Sequence, residues 1–180
     1  MSSSACPSCG LKLPDHDGPA DPYGAASPAC WAMFGEVTAR DYGAYEYPPV
    51  HRLIVDAYQA QHVGYATAAG RRSVVVHLVG LCLVLEKMAA PGTVGRALGA
   101  VFPDKPDVEP LVPIPRATLT IAHVHEAKSL GEQTVRGEEF AREVWRAWTP
   151  HHARVRAWAE AAASRIHGRS TDAGQKKRGG

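Results

Sequence analysis

Apolar residues recur at helical spacing along most of the chain, and Gly and Pro mark where each run stops. Ser27-Pro28 supplies an N-cap followed by proline at the first helical position. The spacing then predicts a helix over 28–42, with Trp31, Phe34, Val37 and Met33 facing inward and Gly43 as the stop. Pro48-Pro49 opens a second helix reaching about His62, with Leu53, Ile54, Ala57, Tyr58 and Gln61 on its apolar face. Residues 70–88 are apolar nearly all round, which predicts a central helix. The β-branched run Val74-Val75-Val76 leaves a strand as the lesser reading. Ala90-Pro91-Gly92 ends that segment, and a short helix over 93–102 is expected next.

Five prolines between 103 and 115 predict an extended surface linker, because proline lacks the donor that a helix or central strand needs. Residues 118–125 (TLTIAHVH) alternate weakly, as a short strand or the start of another helix. From Gly137 the pattern is helical again, with Phe140, Val144 and Trp148 on one stripe. Thr149-Pro150 either kinks this helix or caps a new one running through Val155, Trp158 and Ala162 to about Ile166. Residues 168–180 are polar and are expected to be a disordered basic tail. The fold class is therefore mainly α: a helical bundle with an N-terminal, loop-built knuckle packed on its first helix hairpin. One domain over 5–167 is expected, with the knuckle at 5–30, helices at 28–102, a Pro-rich linker at 103–117 and C-terminal helices at 118–167.

Composition changes this picture in two places. Lys and Arg number 20 against 18 Asp and Glu, a net charge of +2, and 45% of the 180 residues are hydrophobic. The residues after Ser164 carry a surplus of four positive charges, so the body before them is slightly acidic. That disfavours nucleic acid as a partner, since neutralising phosphates needs a clustered positive surface. The first residues, MSSSACPSCG, hold neither a basic nor an apolar leader region. The longest apolar run, Val74 to Leu85, is short of the ~20 residues a bilayer requires. A cytoplasmic, membrane-free protein with reduced thiols is expected, so its four cysteines bind metal or pack.

Cys6-Pro7-Ser8-Cys9-Gly10 carries the strongest chemistry. Two thiolates on one cation must converge from a tight turn, and Cys-x2-Cys followed by Gly supplies it. A redox dithiol would instead sit at the start of a helix, whereas Gly10, Pro14 and Gly18 follow here. A tetrahedral site needs two more ligands. Cys30, in the first turn of the first helix, is the third. If helices 28–42 and 49–62 form an antiparallel hairpin, a rise of 1.5 Å per residue puts Cys30 and His62 both about 18–20 Å from the connecting turn, with His51 at the opposite end. The expected zinc ligands are Cys6, Cys9, Cys30 and His62, with His16 as the competitor for the fourth place and Cys82 a core thiol. Such a site clamps a lobe too small and polar to fold alone.

The same hairpin geometry sets Asp56 level with His77 on the third helix, a carboxylate beside an imidazole. His152 falls on the inward stripe of Trp145, Trp148 and Val155, so Asp56, His77 and His152 are the candidates for a catalytic centre inside the bundle. Plainer roles stand beside each: Asp56 paired with Arg52, Arg71 or Arg72, His77 a core histidine, and His151-His152 a solvent-facing first turn. His123 and His125, two apart, and the pair His151-His152 are further candidates, with a loop the plainer reading of His125 and Glu126.

Taken together, CPSCG at residue 6, Cys30-Trp31, His51-Arg52-Leu53, Val55-Asp56-Ala57-Tyr58, Gln61-His62, Ser73 through His77-Leu78, His123, Trp145, Trp148 and His151-His152 resemble a bacterial family, frequent in actinobacteria, classed as a domain of unknown function. The resemblance spans about residues 6 to 160 and implies no activity. Val63 stands where that pattern often has proline after Gln-His, which touches no ligand. A zinc-stabilised binding domain for a small-molecule or protein partner is the leading functional expectation. A small-molecule metalloenzyme, hydrolase or transferase, using the bundle carboxylate and histidines is the alternative. An accessory protein working through its basic tail comes third.

Overall fold

Side-chain caps start the helices where local chemistry dictates. In the computed structural model, which describes residues 2–22, 24–43, 49–89, 91–112 and 116–176, Ser27 Oγ accepts from Cys30 N (3.3 Å) to open α1 (Pro28–Tyr42). Thr67 Oγ1 does the same from Gly70 N (3.0 Å) for α3 (Ala68–Leu85). Between them lies α2 (Val50–Gln61), and α4 (Pro91–Ala100) and the short α5 (Ile121–His125) follow. Ser129 opens α6 (Leu130–Ala147), and a single 3₁₀ turn (Thr149–His151) leads into α7 (His152–Lys176).

Several boundaries move from their predicted places. The stretch 118–125 resolves as helix from Ile121, not strand, and the β-branched run in α3 is helical. Helix α6 starts seven residues before Gly137, because Ser129 Oγ caps Glu132 N while the Glu132 carboxylate reaches back to Lys128 N (2.8 Å). Proline at 150 caps a new helix through the 3₁₀ turn. That helix continues to Lys176 and replaces the first nine residues of the expected tail; no proline interrupts it, and an established helix propagates easily. Residues 177–180, with Pro48, Ala90, Pro113 and Pro115, lie outside the described residues.

The N-terminal lobe is not built of loop alone. Strands β1 (Ser3–Ala5) and β2 (Lys12–Pro14) pair antiparallel, Ser3 opposite Pro14 and Ala5 opposite Lys12, so the CPSCG knuckle is the tip of a hairpin. The prolyl linker has no helix or strand among its described residues, yet it buries Val108 and Leu111, and Asp107 pairs with Arg71 at 2.6 Å.

Helix α2 is the centre of the bundle. Ten of its 12 residues are buried, chiefly between α3 and α6, with α1 over its remaining face. The apolar helix α3 lies between α2, α4 and α7. It is the one helix among the described residues long and apolar enough to cross a membrane, and half of it is buried inside the fold. Helices α2 and α3 approach closely because Gly80 faces Asp56: a Cβ there would sit 2.7 Å from the Asp56 Cγ. Phe140, Val144 and Trp148 fill the space beneath α2, and the Trp148 indole donates to Ala60 O (3.2 Å).

Candidate metal centre

The hairpin tip is turned by two backbone bonds, Gly10 N to Cys6 O (2.9 Å) and Cys6 N to Leu11 O (2.8 Å). Gly10 takes φ +78°, a left-handed conformation that side chains resist and glycine accepts freely. Ser8 Oγ donates to Ala25 O (2.9 Å), which ties the tip to the segment entering α1. Cys30 arrives from the first turn of α1, and His62 is the residue that ends α2. The hairpin geometry of the two helices thus brings Cys30 and His62 together, as the helix-rise argument requires.

Cys6, Cys9, Cys30 and His62 each direct a donor atom to one point, with all four atoms within 4.8 Å of one another. A cation bound tetrahedrally at about 2.3 Å from sulfur and 2.0–2.1 Å from nitrogen separates two sulfurs by about 3.8 Å and sulfur from nitrogen by about 3.6 Å. The Cys9 and Cys30 sulfurs are 3.9 Å apart, and Cys30 Sγ lies 3.4 Å from His62 Nε2. A disulfide requires about 2.05 Å. These spacings match the edges of a metal tetrahedron.

The surroundings prepare the donors. His62 Nδ1 donates to Tyr58 O (2.8 Å), which holds the ring with its Nε2 lone pair toward the sulfurs. Ser27 N–H and the Tyr58 hydroxyl donate to Cys6 Sγ and Cys30 Sγ at 3.5 and 3.8 Å, and α1 directs the positive end of its dipole at the cluster. Hydrogen bonds from Cys30 and Cys9 hold the Cys6 thiol far below its ordinary range. The bonds Cys30 shares with Cys6 and Cys9, and then burial, push its own thiol up. Burial pulls the His62 imidazole down, but hydrogen bonds to Cys6 and Cys9 outweigh it and lift the ring to about 9. Four donors that cannot all be deprotonated beside one another are the set a divalent cation satisfies.

Other candidates fall elsewhere. His16 is exposed and accepts Gly18 N at 2.9 Å; it is not a member of the cluster. Cys82 sits in α3, where burial and then Glu86 push its thiol up to about 11, so it packs as a neutral core residue. His125 ends helix α5 and does not lie in a loop, because the turn from Ile121 closes as helix; it and His123 pair with Glu36 and Glu139, and the His151 ring lies 5.4 Å from Trp148. His77 Nδ1 is 2.7 Å from the Asp56 carboxylate, and Arg52 grips Asp56 through Nε and Nη2 (2.8 and 2.6 Å). His152 does not join them. Its Nε2 donates to Trp145 O (2.8 Å), its ring stacks on Trp145 at 3.8 Å, and Glu86 lies beside it at the far end of α3. The centre expected from Asp56, His77 and His152 is therefore split. Facing stripes fix which side of a helix is buried but not the level at which two non-adjacent helices meet.

A second imidazole–carboxylate pair lies outside the sequence expectations: His51 Nδ1 is 2.8 Å from buried Asp41, whose other oxygen accepts from Gln133 Nε2 (2.7 Å). The hairpin geometry that places Cys30 beside His62 also places Asp41 beside His51, at the turn end.

Over residues 4–149 the chain matches a family of unknown function, DUF5946. No curated protein and no solved structure matches it.

Proposed function

Because the chain belongs to the DUF5946 family of unknown function, we propose its role from the site itself: a zinc-clamped helical binding domain in which the metal is structural. Three thiolates and one imidazole form a soft, tetrahedral donor set of the kind that selects zinc. All four positions come from the protein, which leaves none open for water or substrate. The observation that carries this is the pair of tetrahedron edges at 3.9 and 3.4 Å. Structural zinc in small peptides contributes about 10–16 kcal/mol, as much as the whole stability of an ordinary domain. That is enough to hold the short hairpin, whose strands are exposed, against α1 and α2. The thiols must stay reduced, which fits a cytoplasmic setting.

Clamping also has a structural target. The His62 ring stacks on Tyr58, and Tyr58 on Phe34, each with centroids 4.0 Å apart, and Trp31 lies beside both, 5.3 Å from Phe34 and 6.0 Å from Tyr58. The metal thus holds one side of a cluster of rings, of which Trp31 and Phe34 wall a groove suited to a small-molecule partner. Elemental analysis of the purified full chain should give one zinc per chain, lost in Cys30→Ser together with a lower melting temperature. Metal-free protein that is fully folded, or a Cys6–Cys9 disulfide, would overturn the clamp.

A further inference from the structure

We propose that the groove between α1, α2 and α3 is a catalytic site in which His77 shifts a proton between two atoms of a small planar carbonyl compound. This rests on the binding-domain reading above and gives its site a ligand class and a chemistry. The cavity measures about 320 Å³, within the range of about 300–1,000 Å³ that holds small ligands. Trp31, Phe34 and Val55 give it apolar walls, and Gln59, His51 and His77 supply polar groups. Rings on one side and a few polar atoms on the other suit a flat, conjugated molecule.

His77 is built as a proton carrier. Its Nδ1 donates to Asp56, which is fully buried and fixed in turn by the two bonds from Arg52. That arrangement leaves Nε2 as the basic atom of the ring that lines the groove. Of the other groups on the groove wall, Tyr42 adds a hydroxyl and His51 is paired with Asp41 at the turn end. Thr38 Oγ1 is committed to the Phe34 and Gly35 carbonyls, each at 3.1 Å. Among the described residues the only group of three or more metal-ligating side chains is the cysteine–histidine centre. One reaction open to an imidazole in an apolar groove needs no further reagent, the 1,3-proton shift of an enolisable carbonyl. Nε2 takes the proton as the O–H bond of the enol breaks, then returns it to the α carbon as the C–H bond forms. The electron pair moves within the ligand, and composition is unchanged.

The probe is phenylpyruvate, its enol followed by ultraviolet absorbance in the presence of the full, metal-loaded chain. Wild type should speed ketonisation well above buffer and above free imidazole, and His77→Gln should lose at least about 100-fold, the scale of one positioned general base. Asp56 is a positioning residue, so Asp56→Asn should lower kcat with KM nearly unchanged. Val55→Trp, which fills the groove and leaves the His77–Asp56 pair in place, should abolish both turnover and the quenching of Trp31 fluorescence by the probe. A rate equal to buffer overturns the proposal, as does acceleration that survives both His77→Gln and Val55→Trp. If His77→Gln fails to fold, Val55→Trp decides alone. Zinc content separates the two readings: zinc-loaded protein without turnover sinks the groove only, whereas native, metal-free protein with His77-dependent turnover sinks the clamp only.

Discussion

Replacing Gly80 with alanine tests the packing that buries Asp56. In most exposed helix interiors the change stabilises by about 1 kcal/mol, because alanine loses less backbone freedom on folding than glycine. Here the new Cβ would stand 2.7 Å from Asp56 Cγ and 3.1 Å from its Oδ1, well inside ordinary contact. A long surface side chain would swing aside at little cost, but Asp56 is short, fully buried and held by three hydrogen bonds. Relief must come from parting α2 and α3 or from breaking the carboxylate's contacts. Breaking a buried charge pair costs about 3–5 kcal/mol. With the propensity gain subtracted, Gly80→Ala should destabilise by about 2–4 kcal/mol, the reverse of the usual sign. Urea denaturation followed by circular dichroism measures it, and a neutral or stabilising result would refute the account of how α2 and α3 meet.

Glu86 gives a pH signature. Hydrogen bonds from Arg156 hold its carboxyl down at about 2, against an unfolded value near 4.5. A depressed carboxylate adds stability that is present above the unfolded value and fades as pH falls toward the folded one. The gap in melting temperature between wild type and Glu86→Gln should therefore be widest above pH 5 and narrow progressively below it. Cys82→Ala should keep its full zinc content and lose about 1 kcal/mol for the small cavity, and the buried thiol of native protein should resist alkylation at pH 7. Acidification should release the proposed metal, read with a chromogenic chelator, because protons compete for thiolates and imidazole alike.

How much of this was legible in the sequence depends on whether residues are linked by one turn or by several. Cys30 with His62, and Asp56 with His77, lie at matching distances from a connecting turn, so helix rise alone sets their levels. His51 with Asp41 obeys the same geometry, at the end of the hairpin opposite the cysteines. His152 faces inward as its stripe required, yet it meets the Glu86 end of α3, well away from His77, because no short connection ties α7 to α3. The Ser129 cap carried an S-x-x-E signal, obscured by Gly131 in the first turn. The three-residue strands around the knuckle are too short for alternation to register.

Helix α2 carries His51 in its first turn, Asp56 midway and His62 at its end. One stiff rod thus serves both the proposed cation site and the groove, and whatever displaces that rod is felt at both. Linkage makes such an effect reciprocal: if losing the ion loosens the cleft, then an occupant of the cleft must tighten the hold on the ion by the same factor. Starvation for metal would then lower occupancy of the cleft before any chain unfolded, and a chelation curve would shift as occupant is added.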